Sequence, residues 1–99
     1  MERGGYVYII TNKNNTTLYV GVTSDIYTRI YQHKNKIYPN SFSAIYNLNK
    51  LVYYEFLPRI EEAIAREKYI KGKKRVFKDE LINSVNPGWE DLWFKGKDF

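Results

Sequence analysis

Three charged or polar side chains stand where helical periodicity calls for apolar ones. Ile26, Ile30 and His33 follow the i, i+4, i+7 spacing of one buried stripe, and Arg29 borders that stripe. Arginine keeps its charge at any accessible pH, so an inward arginine needs an anion beside it. Further along, Ile60, Ala63, Ile64 and Ile70 mark the apolar face of a second stretch. At about 100° per residue, Glu67 falls in the middle of that face, whereas Glu61 and Glu62 point away. An inward arginine and histidine on one helix and an inward glutamate on its neighbour suit phosphoryl transfer. They offer a cation for the phosphate oxygens, an imidazole for a proton and a carboxylate for a metal. A buried Arg29–Glu67 ion pair with no chemistry would produce the same pattern.

Composition narrows the chemistry. The 99 residues include no cysteine, which excludes disulfides, a thiol nucleophile and cysteine-held zinc or iron–sulfur. With one histidine, a metal would be held mainly by carboxylate and water, as Mg²⁺ is. The net charge of +5 favours an anionic partner, and nucleic acid is the commonest. Lys68, Lys71, Lys73, Lys74, Arg75 and Lys78 form a basic run that would either track a phosphate backbone or be a solvated helix face. Ten tyrosines offer packing area and phenols for phosphate or bases. Among them, Tyr27 and Tyr31 read as surface aromatics with stacking as the alternative. The apolar runs are too short to span a membrane, and the first five residues resemble neither a basic leader nor a signal core. A soluble, cytoplasmic protein of one domain over residues 1–99, with no membrane contact, is the expectation.

These side chains need elements to carry them. Tyr6 to Ile10 and Thr16 to Gly21 read as strands of a hairpin joined by the polar run Asn12-Lys13-Asn14-Asn15. Thr23, Ser24 and Asp25 can start a helix running to about Asn35. Ile37 to Asn49 reads as a loop with room for one short helix, and Leu51 to Phe56 as a third strand ended by Pro58. Helices follow over Ile60 to about Lys74 and about Val76 to Val85. From Asn86-Pro87 a terminal turn brings Trp89, Leu92 and Trp93 back to the core. The order β-β-α-β-α-α predicts an α+β fold, a small, mostly antiparallel three-stranded sheet flanked by helices.

The strands carry Tyr6-Val7-Tyr8 and, eleven residues after Tyr8, Tyr19-Val20-Gly21. Followed by Arg29, His33 and the helix of Ala65-Arg66-Glu67-Lys68, this pair of tripeptides resembles the GIY-YIG nuclease superfamily, with Tyr6 where its first glycine usually stands. Gly5 to Ile9, Leu51 to Glu55, Glu62 to Glu67 and Asn86 to Leu92 are similar to the small single-domain branch related to the excinuclease nuclease domain. The resemblance implies Tyr8 and Tyr19 as site tyrosines, Arg29 as phosphate clamp, His33 as helper and Glu67 as metal ligand for Mg²⁺ or Mn²⁺. Tyr6 is expected to be structural.

The expected function is that of a metal-dependent endonuclease hydrolysing nucleic-acid phosphodiesters, DNA by preference, selective for substrate structure in repair or recombination. A phenolate, Tyr8 first and Tyr19 as the alternative, would take the proton from water, its pKa lowered by Arg29 or the metal. A protein partner is the candidate source of substrate recognition. Two alternatives compete: a non-catalytic nucleic-acid-binding module that keeps the fold, and a protein-interaction domain whose basic charge is incidental.

Overall fold

A computed structural model describes residues 3–93. Seven elements follow in order: β1 (Gly5–Thr11), β2 (Leu18–Thr23), α1 (Ile26–Lys34), α2 (Phe42–Ile45), β3 (Lys50–Leu57), α3 (Ile60–Lys71) and α4 (Arg75–Val85). The sheet is ordered β2-β1-β3 with both pairings antiparallel, an α+β arrangement as the element order predicts. Between β1 and β2, Asn12 holds the turn: its Oδ1 accepts the amides of Thr16 at 2.8 Å and Thr17 at 3.3 Å. Asn15 takes the left-handed backbone that asparagine tolerates.

Of the three candidate starts for α1, Asp25 is the cap, accepting the Thr28 amide and hydroxyl. The loop that follows contains one short helix, α2, capped by Ser41. Helix α3 ends at Lys71, short of Lys74, because Gly72 stands at its C-cap and the chain turns directly into α4.

Each sheet face carries its own core. Val7, Ile9, Val20, Val52 and Tyr53 pack with Ala63 and Ile70 of α3 and Ile82 of α4. Tyr8, Ile10 and Leu51 pack on the other face with Ile26 and Ile30 of α1 and with Leu48. A register shift between Ile9 and Ile10, which pair with Tyr53 and Leu51, inserts Val52 as an extra residue. Consecutive Val52 and Tyr53 therefore serve one face, as a bulge permits. The α3 stripe is Ile60, Ala63, Glu67 and Ile70; Ile64, expected on it, is 39% exposed. It lies one position off the face that the sheet covers.

After α4 the chain folds back, as the terminal turn predicts. Buried Asn86 bonds the carbonyls of Val52 and Glu90, Trp89 packs on the α3–α4 side, and Leu92 and Trp93 reach the α1 side. No helix among the described residues is long and apolar enough to cross a membrane. The expected domain span includes residues 1–2 and 94–99, which lie outside the described residues.

Candidate active site

The hub of the site is Tyr8, at the middle of the central strand and 1% exposed. Its cross-strand partner on β2 is Gly21. A Cβ at Gly21 would stand 2.4 Å from both Cζ and Oη of Tyr8, so the phenol lies over the one β2 position with no side chain. The Tyr-Val-Gly tripeptide thus has a steric reason for its glycine: any other residue would push the buried ring aside. Because β2 is an edge strand, a ring laid across it points toward the sheet margin.

Helix α1 supplies the next two groups. His33, 7% exposed, places Nε2 2.9 Å from the Tyr8 hydroxyl and Nδ1 2.8 Å from the Ser43 hydroxyl of α2. Burial, aided by the nearby Arg29 charge, pushes the imidazole down to about 4, so it is neutral at pH 7. Burial also pushes the Tyr8 phenol up to about 12, although the Arg29 guanidinium beside it pulls the other way. The expectation that positive charge lowers this phenol is therefore met in direction and outweighed by desolvation: Tyr8 is protonated at rest.

Arg29 itself is half-buried, donates to the Gln32 side chain at 3.1 Å and lies 5.8 Å from the Tyr38 ring centre. Among the described residues it makes no ion pair. The simple buried Arg29–Glu67 pair is absent; Glu67 is instead paired with Lys71 at 2.9 Å. The two helices are also not packed as neighbours, since α1 and α3 cover opposite faces of the sheet. Their polar groups approach around the β2 margin. There the Lys71 ammonium lies 5.2 Å from the Tyr19 ring centre, Tyr19 and His33 rings are 6.1 Å apart, and Tyr8 feels the charges of both Arg29 and Glu67.

Glu67 is 9% exposed, and a carboxylate so placed demands a cation. Lys71, whose side chain is half exposed, provides one from the solvent side. Among the described residues no cluster of three or more histidine, aspartate or glutamate side chains could hold a metal ion. A single buried carboxylate fits a hard cation that keeps its waters and takes substrate oxygens as further ligands, as Mg²⁺ or Mn²⁺ can. Glu67 is the residue that would hold it.

Other expectations divide. Tyr6 packs against Phe56 at 5.1 Å and Tyr54 at 6.3 Å, a structural aromatic. Tyr27, 51% exposed, stacks on Trp93 at 5.0 Å. Members of the basic run have different partners within the protein. Lys71 belongs to the site; Arg75 pairs with Asp79 and donates to the carbonyls of Asn15 and Thr16, fastening α4 to the β1–β2 turn. Lys78 donates to the Lys71 carbonyl, and Lys73 covers the Tyr69 ring at 4.6 Å. Lys68 and Lys74 are exposed. Sequence reasoning missed Ser43 and the pairing of Lys71 with Glu67. The second had a signal, the i, i+4 spacing of opposite charges; Ser43 stands on a one-turn helix too short for periodicity to distinguish it.

The chain also matches known proteins in family and fold. Residues 4–80 match the family model described as the GIY-YIG catalytic domain. The chain is 39% identical over 82 residues to the UPF0213 protein CPE1444 of Clostridium perfringens, covering 80% of this chain and 83% of that protein. The solution NMR structure of the UPF0213 protein BH0048 from Bacillus halodurans resembles it with a TM-score of 0.56 at 27% identity, covering 90% of this chain and 93% of that one. With both tripeptides, Arg29, His33 and Glu67 inside the matched span, the chain belongs to the GIY-YIG family, whose domains are of the nuclease type.

Proposed function

We propose that this domain is a divalent-metal-dependent endonuclease that hydrolyses phosphodiester bonds in DNA. The observation that carries the reading is a half-buried arginine without a carboxylate partner among the described residues. It is set beside a buried phenol–imidazole pair at the sheet margin that Glu67 approaches from the other face. Positive charge so placed is available to an oxyanion. Arg29 would hold a non-bridging phosphate oxygen and gain strength as charge builds on it in the transition state. Water attacks the phosphorus in line with the departing 3′ oxygen, and the P–O bond to that oxygen breaks.

Tyr8 is protonated at rest, pushed up to about 12, so it can take a proton from the attacking water only by giving up its own. His33 Nε2, 2.9 Å away and unprotonated at pH 7, is the group that receives it. Tyr19, also on the margin, is the alternative base. When bound at Glu67, Mg²⁺ or Mn²⁺ would neutralise charge on the phosphate and on the leaving oxygen. Lys71 would release Glu67 in that state and turn to the nucleic-acid backbone.

One observation favours a second reading. Lys71 already neutralises Glu67, as expected of a binding module that has kept the fold without turnover. A gel assay with labelled single-stranded, duplex, flapped and four-way DNA, in Mg²⁺, Mn²⁺ or EDTA, separates the two. Cut product that requires both metal and Glu67 is expected; retained bands without cutting would establish the binder, and the absence of both would remove the functional claim.

A further inference from the structure

The hydrogen-bond chain that starts at Tyr8 does not stop at His33. Ser43 Oγ lies 2.8 Å from His33 Nδ1 and 3.2 Å from Ser41 Oγ. Ser43 is 5% exposed, whereas Ser41 is only partly buried, so the chain Tyr8–His33–Ser43–Ser41 runs from the buried phenol to the edge of solvent. A serine hydroxyl can donate to an imidazole nitrogen or accept from it, so the direction of the chain is set at its Tyr8 end and Ser43 holds the tautomer that this end selects.

The donors have one consistent direction. The Arg29 charge acts on the Tyr8 oxygen and favours its lone pairs toward the guanidinium, which turns the Tyr8 hydrogen toward His33 Nε2, 2.9 Å away. Nδ1 then carries the hydrogen and donates to Ser43, and Ser43 donates to Ser41. Ser41 Oγ accepts the Ala44 amide at 3.3 Å as the cap of α2, leaving its own hydrogen directed outward. We propose that Ser43 is a positioning residue that locks His33 as the Nδ1–H tautomer, and that Ser43 and Ser41 together form the outlet for the proton taken from the attacking water.

This inference rests on the nuclease reading for its kinetic part and on geometry alone for its tautomer part. The proton balance closes without a charged intermediate. The water proton goes to Tyr8 Oη and the phenol proton to His33 Nε2. The Nδ1 proton goes to Ser43, the Ser43 proton to Ser41 and the Ser41 proton to bulk water. Every member ends neutral with His33 as the Nε2–H tautomer; after product release one proton entering at Ser41 and one leaving Tyr8 for solvent restore the Nδ1–H form, and neither direction separates charge on the buried path. The groups facing His33 are Tyr8 and Tyr19 from the sheet, Arg29 on its own helix and Ser43 from α2.

The test uses the chain's single histidine, whose ring nitrogens give an unambiguous ¹⁵N NMR signal in tag-free protein. The wild type should show a single neutral Nδ1–H tautomer at pH 7. Ser43→Ala should give a mixture of tautomers, and Ser43→Thr, which keeps the hydroxyl, should restore the single form. In cleavage assays Ser43→Ala should lower kcat about tenfold at unchanged KM. The dependence of rate on the deuterium content of the solvent should pass from curved, with several protons moving, toward linear. Ser41→Ala should give a smaller loss with the tautomer intact. An Nε2–H tautomer in the wild type, or a Ser43→Ala protein with both tautomer and kcat unchanged, overturns the proposal. If the wild type binds DNA without cutting it, the nuclease reading and the proton outlet fall together, and the NMR result alone decides whether Ser43 positions His33.

Discussion

Two tyrosines on opposite faces of the sheet, Tyr8 and Tyr53, are both buried and end in different circuits. Desolvation pushes each phenol up to about 12. Tyr53 donates to Glu55 at 2.5 Å, and Glu55 in turn accepts Arg66 of α3 at 2.6 Å. Phenol, carboxylate and guanidinium form a closed set in which the arginine is paired within the protein. Tyr8 meets a neutral imidazole instead, and the arginine beside it has no carboxylate among the described residues. A perturbed phenol therefore does not distinguish a site from a strut; an arginine left without an internal anion does.

Cleavage is the sharpest way to break this contrast. Arg29→Ala or Glu67→Ala should lower kcat by on the order of 10³-fold or more in the gel assay. Circular dichroism of either variant should be native. Full activity in either would end the scheme. Tyr8→Phe should cost on the order of 10²- to 10⁴-fold. Gly21→Ala should approach that loss with Tyr8 still present, because its Cβ enters the space of the phenol.

The two circuits should also separate in stability. Tyr53→Phe and Arg66→Ala should leave kcat near wild type and reduce the urea-unfolding free energy by roughly 1–3 kcal/mol each, through a buried hydroxyl bond and a carboxylate left unpaired. A large loss of activity at full folding in either would erase the distinction drawn between the faces.

The pH profile gives a finer test. His33, lowered to about 4 when folded from 6.5, must be unprotonated to receive the Tyr8 proton. Cleavage per folded molecule should be level through neutral pH and fall as pH drops toward 4. A free phenolate base would instead raise the rate tenfold per pH unit through the same range, which stopped-flow or quenched assays would detect. Stability follows the same group. As pH falls from 6.5, the unfolded chain takes the proton first, so the contribution is complete above about 6.5 and lost progressively down to about 4. The total is at most ~3 kcal/mol. His33→Gln should flatten that part of the curve in pH-dependent urea melts.

Much of the fold was legible because local rules and tertiary needs agree. Tyr6 to Ile10 alternates between two cores that both exist, Asp25 caps the helix it precedes, and the turn at Asn12 uses its side chain as turn asparagines do. Inward Arg29, His33 and Glu67 could be read from period alone, since a polar group on an apolar stripe is visible in one dimension. The boundary at Gly72 and the exposure of Ile64 were misjudged because a helix's end and the width of its covered face depend on what packs against it.

Which residues are available to the site, and which way their helices turn them, follows from residue order alone. Their partners follow from the fold. It gave Glu67 to Lys71 rather than to Arg29, brought Ser43 on the short helix α2 to the imidazole, and laid the Tyr8 ring over Gly21 at an edge where groups from two faces can meet. The two differ in range. Periodicity is set by backbone geometry within one element, whereas ion-pair choice, desolvation and steric room depend on atoms that distant segments bring within a few ångströms.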